Sequence, residues 1–547
     1  MTETSATTPP PGMPSPANTI ESDYVVVGAG SSGAIVAARL AQAGHRVVLL
    51  EAGPRDRNPW IHIPLGFGKL FDNPGIIWPH NVHGRLGLEG RVTPQPRGRV
   101  LGGTSSINGM TYVRGAPEIY DAWAENGCSG WSYDDVLPYF RKAESNVRGE
   151  DAAHGGTGPI RISDPECHPL MTAFVDAAST LGFSRNPDFN SGQQDGVGYF
   201  QFSYSNGRRS SSATAYLSSS KPNLRIVTDA LCDRILFDRK RATTVSSVIK
   251  GERRFFRACA EIILSAGSFG TPQLLQLSGV GPGALLSSLG IETIVDLQEV
   301  GENYQDHFES RVVMECSKKI TINDSYNSIA RRLAMGARYI LKRSGPMAGA
   351  GTMGGGFFRL NPNSSFPDCQ INFGAWSTSR GLGDEKAPLL DPFSAFRLTV
   401  VDLTPEARGT VKITSPSIHQ LPHISAPFLE TDRDREAIVR AMKLARSLAA
   451  TSPLKNISLR EVVPGPAFEG DEELLNYARK FGRPNFHAVG TCRMGSDPRA
   501  VVDPFLRVSG IDGLRIADGS IIPLIPNGNT NAACTMIGEK AAALIAQ

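Results

Sequence analysis

The sequence predicts an α/β fold in two domains. One is assembled from separated stretches of chain; the other is α+β, carries an antiparallel sheet, and is built from what lies between them. Three observations predict this. A buried strand, a glycine-rich turn and a helix open the ordered chain, at Val25–Val27, Gly28-Ala29-Gly30-Ser31-Ser32-Gly33 and Ile35–Leu40. Short apolar strands of the same character recur in the middle, Ile262-Ile263-Leu264, and near the end, Leu514–Ile516. At 547 residues the chain is also too long for one core.

The opening turn sets the character of the first domain. Gly28 permits a tight turn, Gly30 lets backbone approach a phosphate, and Gly33 lets helix and strand pack closely. The helix that follows presents free N–H groups and partial positive charge to an anion. Glu51 ends a second apolar run, Val47–Leu50. A carboxylate there accepts hydrogen bonds from ribose hydroxyls and repels a 2′-phosphate. Together these predict a Rossmann-like, dinucleotide-binding β-α-β unit over residues 23–53. Glycine alone is weak evidence: with 57 glycines in the chain, chance gives about 0.6 such patterns. Gly349-Ala350-Gly351-Thr352-Met353-Gly354 is a second match, and without a preceding apolar strand or a following helix it reads as a flexible loop.

Residues 54–115 are rich in Gly and Pro and read as extended coil. Glu118–Ala143 is helical, broken near Gly127–Gly130. Asn223–Asp229, Arg234–Asp238 and Phe255–Ser265 read as strands, the last turning at Ala266-Gly267 into a helix around Pro272–Leu277. Residues 310–430 mix alternating strands with one helix, Ile329–Lys342. In Asp434–Thr451, Ile438, Met442, Ala445 and Ala449 recur at helical steps of three and four. Glu472–Phe481 and Ala532–Ile545 complete the helices. The nucleotide domain is accordingly assigned to residues 21–115, 215–305 and 500–547, and the second domain to 116–214 and 306–499. Residues 1–20 form a disordered tail, rich in Thr, Pro and Ser.

Net charge is +3, from 56 basic and 53 acidic residues, with no Lys/Arg-rich run, so nucleic acid is not an expected partner. No apolar run reaches the ~18 residues needed to span a bilayer. The N-terminus lacks the basic start and apolar core of a signal peptide. Eight scattered cysteines form no C-x-x-C, which predicts neither a metal cluster nor a disulfide framework, and a cytoplasmic location.

Three further blocks carry a specific pattern: Gly98-Arg99-Val100-Leu101-Gly102-Gly103-Thr104-Ser105-Ser106-Ile107-Asn108-Gly109-Met110; Gly267 through Gly281, with Gly270-Thr271-Pro272-Gln273 at its centre; and His487-Ala488-Val489-Gly490-Thr491-Cys492-Arg493, followed by Ala517-Asp518-Gly519-Ser520 and Pro526-Asn527-Gly528-Asn529-Thr530-Asn531. In order and spacing the chain resembles the glucose–methanol–choline (GMC) family of flavin oxidoreductases, from about residue 20 to the C-terminus. The resemblance implies FAD rather than NAD, and oxidation of a small-molecule primary or secondary alcohol with hydride passing to flavin N5. It places cofactor contacts at Gly28, Gly30, Ser32, Gly33, Glu51, Ala52, Arg99, Val100, Gly103, Thr104, Asn108, Gly109, Met110, Cys232, Ala266, Asp518, Gly519 and Thr530. Some members attach flavin through a histidine one place before the motif asparagine; here that place holds Ile107, which implies non-covalent binding. Cys232 reads as a packing thiol beside the adenine.

Alcohol oxidation removes a hydride from carbon and a proton from oxygen. Protein must take the proton, and histidine suits the task at neutral pH. The resemblance places the base at His487. Asn529 stands where the family carries His or Asn; an amide orients an alcohol oxygen but cannot act as a base. The last helix should point its N-terminus at the flavin pyrimidine ring. Asp306-His307 reads as a structural hydrogen-bonded pair. Electrons would leave to O2 or to a quinone- or cytochrome-type acceptor. The alternative on the same fold is a non-redox lyase of the hydroxynitrile type. Phe357, Phe358, Phe373 and Trp376 are candidates to line the substrate pocket.

Overall fold

The computed structural model describes residues 18–219, 221–379 and 389–546. Most of the expected tail therefore lies outside the described residues, but strand β1 (Thr19–Val27) takes in the last two residues assigned to it. Helix α1 (Gly33–Gln42) and strand β2 (Val47–Leu50) complete the first unit. Its turn depends on glycine geometry: Gly28 has φ +98°, and a Cβ on Gly33 would sit 2.0 Å from the Gly28 carbonyl oxygen. Residues 54–115, expected as coil, instead contain strands β3 (Ile77–Gly84) and β4 (Val92–Gly98), paired antiparallel. Three prolines and the absence of clean alternation hid them; Pro79 and Pro96 sit opposite each other in the register.

Helices α2 (Pro117–Glu125) and α3 (Tyr133–Ala143) follow, separated at the expected glycines. Strand β5 (Gly196–Tyr199) precedes β6 (Leu224–Val227), β7 (Ala230–Asp238), β8 (Arg241–Ile249), β9 (Glu252–Leu264) and helix α4 (Gly267–Leu277). The second half contains β10 (Phe308–Cys316), α5 (Ile329–Lys342), β11 (Thr352–Phe358), β12 (Cys369–Gly374), β13 (Ala395–Asp402), β14 (Thr410–Lys412), β15 (His423–Ala426), α6 (Asp432–Ala450), β16 (Ser458–Val463) and α7 (Asp471–Phe481). Strand β17 (Leu514–Ile516) and helix α8 (Asn531–Ile545) close the chain.

Three sheets organise these elements. The first has the order β6-β2-β1-β9-β8-β7, with β17 pairing β9. Its centre is parallel: β1 pairs β2 and β9, and β9 pairs β17 through Ile262–Leu514. Strands buried on both faces read as unbroken apolar runs, which is why these were visible in sequence. The second sheet runs β16-β10-β13-β12-β11-β5, all antiparallel along that path. The third joins β14-β15-β3-β4, so chain from both halves meets beside the two larger sheets.

Two assignments change. Helices α2 and α3 were placed with the second domain, yet Trp123, Val136 and Phe140 are buried in the same core as β1, β9 and α8. Amphipathic spacing says that a helix buries a face, not against which core. The Gly349–Gly354 loop ends inside strand β11. A Cβ on Gly355 would lie 1.8 Å from the Ile371 carbonyl oxygen, and one on Gly354 2.4 Å from that of Gly198. Glycine there serves close packing between neighbouring strands, not flexibility. Among the described residues no helix is long and apolar enough to cross a membrane, and no cluster of three His, Cys, Asp or Glu is placed to hold a metal. All eight cysteines are free thiols.

Candidate active site and cofactor cradle

Two adjoining cavities run along the carboxyl ends of the parallel strands, and Ser31, Arg97, Thr104 and Cys534 line both. The smaller, about 160 Å³, is walled by Gly28, Gly30, Ser32, Glu51, Ala52, Gly103, Thr104, Cys232, Ala266, Asp518 and Gly519. The larger, about 520 Å³, holds Thr104, Asn108, Gly109, Met110, His487, Asn529 and Thr530. Residues as far apart in sequence as Gly28 and Asn529 are thus brought to one continuous space. Three expected contacts stand back from both walls. Gly33 packs on the Gly28 carbonyl, and Val100 is buried with Ile61, Ile77 and Ile107. Arg99 places its guanidinium 5.0 Å from the Trp78 ring centre.

In the smaller cavity Glu51 accepts hydrogen bonds from the backbone N–H of Ala29 at 3.0 Å and of Gly53 at 2.9 Å. Burial pushes its carboxyl up to about 7, against those two bonds. Asp518 accepts from the backbone N–H of Gly267 at 2.8 Å, from Thr271 Oγ1 at 2.6 Å and from the backbone N–H of Ser520 at 2.8 Å. That carboxylate ties α4 to the loop after β17. Cys232 is buried, and burial pushes its thiol far up, as expected of a packing residue.

The cradle fits a flavin dinucleotide. A Cβ on Gly30 would meet nothing closer than 4.0 Å, and one on Gly109 nothing within 4 Å, although both line the cavities and neither has the positive φ that calls for glycine. A ligand in close approach accounts for bare backbone at those two positions. Neither Ser32 at α1 nor Thr530 at α8 makes a side-chain cap bond; in α1 the Ala34 and Ile35 N–H groups already donate to the Gly30 and Ser32 carbonyls, whereas the first turn of α8 keeps its N–H groups for an anion or for developing negative charge.

In the larger cavity His487 is held from several directions. Phe486, at φ +63°, turns its carbonyl to Arg97 Nη1 at 2.6 Å. Val489 and Gln305 exchange both backbone hydrogen bonds, at 2.9 and 3.0 Å. Between these anchors the His487 backbone N–H donates to Asp306 Oδ1 at 2.8 Å. Its Nδ1 meets His307 Nδ1 at 2.9 Å, and its Nε2 accepts from Asn529 Nδ2 at 3.0 Å. With Nε2 accepting, the Nδ1 proton belongs on His487 and the acceptor role on His307. Burial, then His307, then Arg97 hold His487 well below the usual imidazole range, so it is neutral at pH 7. Burial likewise pushes His307 down to about 3, although the Leu403 and Pro526 carbonyls favour its protonated form.

Asp306 and His307 are therefore not bonded as a pair. Alternation along an extended segment sends them to opposite sides, and each braces His487 separately. Asp306 also accepts from Gln95 Nε2 at 2.5 Å and from the Tyr304 hydroxyl at 3.3 Å. Gln370 was not singled out in the sequence, yet its Nε2 lies 3.3 Å from Asn529 Oδ1. The signal available was polar alternation in β12, where Gln370 and Asn372 share a face. Arg209 was also missed; it donates to Asn108 Oδ1 at 2.7 Å and fixes that side chain. Of the aromatic pocket candidates Trp376 lines the cavity, while Phe357, Phe358 and Phe373 are core.

Family models described as GMC oxidoreductase match residues 22–309 and 405–538. The chain belongs to the GMC oxidoreductase family. An oxygen-dependent choline dehydrogenase of Photobacterium profundum is 38% identical over 528 residues, 95% of this chain and 92% of that protein. An alcohol dehydrogenase (acceptor) of Pseudomonas putida is 38% identical over 530 residues, 96% and 95% of the two chains. Among solved structures a formate oxidase of Aspergillus oryzae, studied for modification of its FAD, superposes with a TM-score of 0.91 at 29% identity, covering 96% of this chain and 98% of its own. This GMC oxidoreductase is a flavoprotein that acts on CH–OH groups, with FAD as cofactor and a two-domain FAD-binding architecture. The relatives named here are oxidoreductases, and the lyase reading is not carried further.

Proposed function

We propose that the chain oxidises an alcohol to its carbonyl compound with His487 as general base and Asn529 as the residue that orients the alcohol oxygen. One observation carries this: His487 Nε2 and Asn529 Nδ2 lie 3.0 Å apart on the wall of the larger cavity, beside the uncapped N-terminus of α8. An alcohol hydroxyl entering between them donates its proton to the neutral Nε2 and accepts from the amide. Geometry and protonation state both suit that transfer. Bound FAD supplies the hydride acceptor. His487 then carries the proton as an imidazolium, and His307 Nδ1, an acceptor in this network, stabilises it. The α8 N-terminus stabilises negative charge that develops beside it.

Ile107 is fully buried among Ile61, Val100 and other apolar side chains and offers no nucleophile, which supports non-covalent binding. Acid precipitation should accordingly release the flavin into the supernatant; a yellow pellet contradicts it. The electrons go on to O2 or to a quinone- or cytochrome-type acceptor, and peroxide formed per turnover distinguishes the two. The proposal as a whole is tested by anaerobic mixing with primary and secondary alcohols. Bleaching of the flavin band supports it, and a spectrum unmoved by every alcohol rejects it.

A further inference from the structure

The larger cavity is asymmetric in charge. Lys69, Arg97, Arg332, Arg397 and Arg483 line it, against Asp72 and Glu309. Several of these cations are engaged: Arg483 Nε donates to Glu309 Oε1 at 2.6 Å, and Arg97 to the Phe486 carbonyl at 2.6 Å. Lys69 and Arg332 lie over the Trp60 and Tyr326 rings, 4.0 and 5.6 Å from the ring centres, but both are exposed to solvent, whereas Arg397 is half-buried. Arg397 differs. Among the described residues its guanidinium has neither a hydrogen bond nor an ion pair. Its contact is the face of Trp376, 3.6 Å from the ring centre. Trp376 is itself wedged against two glycines: a Cβ on Gly351 or Gly374 would come within 2.9 or 3.0 Å of its Nε1. Both side chains line the cavity.

An arginine held on a rigid aromatic face, with no hydrogen bond or ion pair among the described residues, is a preformed receptor for a planar anion. Burial pushes its guanidinium down to about 9, with Glu309 acting in the opposite sense and Arg311 and Arg483 adding to the fall. A cation so placed gains most from an incoming negative charge. The sheet also fixes how far it stands from the reacting end. Gln370, the neighbour of Asn529, pairs with Val401 in the antiparallel register, and Gly374 pairs with Arg397. Arg397 is thus four residues along the same face, roughly 13 Å at strand rise. With long side chains reaching in from both ends, that spacing suits a substrate whose two groups sit across one aromatic ring. The intervening wall contains Phe67, Phe71 and Phe486.

We propose that Arg397 receives a carboxylate of the substrate, so that the natural alcohol is a hydroxymethyl-bearing aromatic acid or an acid of similar length. This rests on the oxidation of alcohols proposed above and sharpens it to a substrate class. It also separates the chain from relatives named for choline, since a quaternary ammonium would face a surplus of cations.

Binding can be read without turnover. The FAD-loaded enzyme is titrated with 4-methylbenzoate and with 4-methylbenzamide, its neutral counterpart, following flavin difference absorbance. The carboxylate is expected to bind about 10- to 100-fold more tightly, the range of a charge-assisted pair. Arg397→Met should erase that preference and Arg397→Lys should keep part of it. No binding of 4-methylbenzoate, a wild-type ratio near one, or a ratio unchanged in Arg397→Met overturns the proposal. In turnover, the kcat/KM ratio of 4-(hydroxymethyl)benzoate to 4-methylbenzyl alcohol should fall in parallel in Arg397→Met, chiefly through KM. If carboxylate preference persists while no alcohol bleaches the flavin, the anion site stands and alcohol oxidation fails. If neutral alcohols bleach it with no carboxylate preference, oxidation stands and the anion site fails.

Discussion

Replacing His487 by Ala removes the one imidazole on the wall of the larger cavity among the described residues. The backbone bond from residue 487 to Asp306 remains, as do the flanking anchors at Arg97 and Gln305, so the loop keeps its course and FAD should be retained. What is lost is the proton acceptor at Nε2, 3.0 Å from Asn529. Loss of a positioned general base costs about 10²- to 10⁴-fold, or about 2.7–5.5 kcal/mol of barrier. The assay is anaerobic stopped-flow reduction of the flavin by a saturating alcohol, from pH 6 to 10. A base whose pKa lies well below 6.5 is already unprotonated across this range, so the wild-type rate should be level. In His487→Ala the proton must go to solvent, and the residual rate should climb with pH. A variant within three-fold of wild type refutes His487 as the base. A wild-type rate that rises through an apparent pKa above 7.5 refutes the neutral, buried imidazole.

Asn529→Ala removes the amide that donates to His487 Nε2, and should slow flavin reduction by about 10- to 100-fold without the pH dependence seen for loss of the base; an unchanged rate removes it as the orienting residue. Gly30→Val would fill the open space over the turn, where a Cβ has no neighbour closer than 4.0 Å, and should yield protein with little bound flavin at purification; normal flavin content would show that no ligand approaches there. His154 bridges Glu144 at 2.9 Å and Asp188 at 2.7 Å; burial alone would lower its pKa, yet those carboxylates hold it up at about 9. Its folded pKa therefore exceeds the unfolded value of about 6.5. That contribution is complete below pH 6.5 and is lost as pH rises through 9. The Tm of the wild type should fall over that window more steeply than that of His154→Gln, and parallel curves would exclude the linkage.

Much of the nucleotide domain was legible in the sequence because its strands are buried on both faces and its turn needs glycine at fixed places. Helical stretches were legible too: Ile329–Lys342 matches the structure at both ends, although Tyr339 is its one buried residue. Strands β3, β4 and β11 were not, because proline and glycine within them erase the alternation that marks a strand. Asp306-His307 shows the same limit at the site. Their adjacency suggested a bond between them, whereas extended backbone sends one to the backbone and the other to the ring of His487.

By itself the sequence determined the α/β class, the glycine turn of the opening β-α-β unit, and the pairing of His487 with Asn529 through the resemblance of their motifs. Only the tertiary structure decided which neighbours act on them. Protonation of His487 depends on burial and on His307, 180 positions away, and Asn529 is reached by Gln370 from another sheet. Arg397 reads in the chain as a lone charge in an apolar strand; its want of a partner exists only once the cavity around it has closed. Local pattern fixes what a segment buries, because that depends on periods of two and 3.6 residues. Electrostatics depends on everything within a few ångströms, and folding draws those groups from the whole length of the chain.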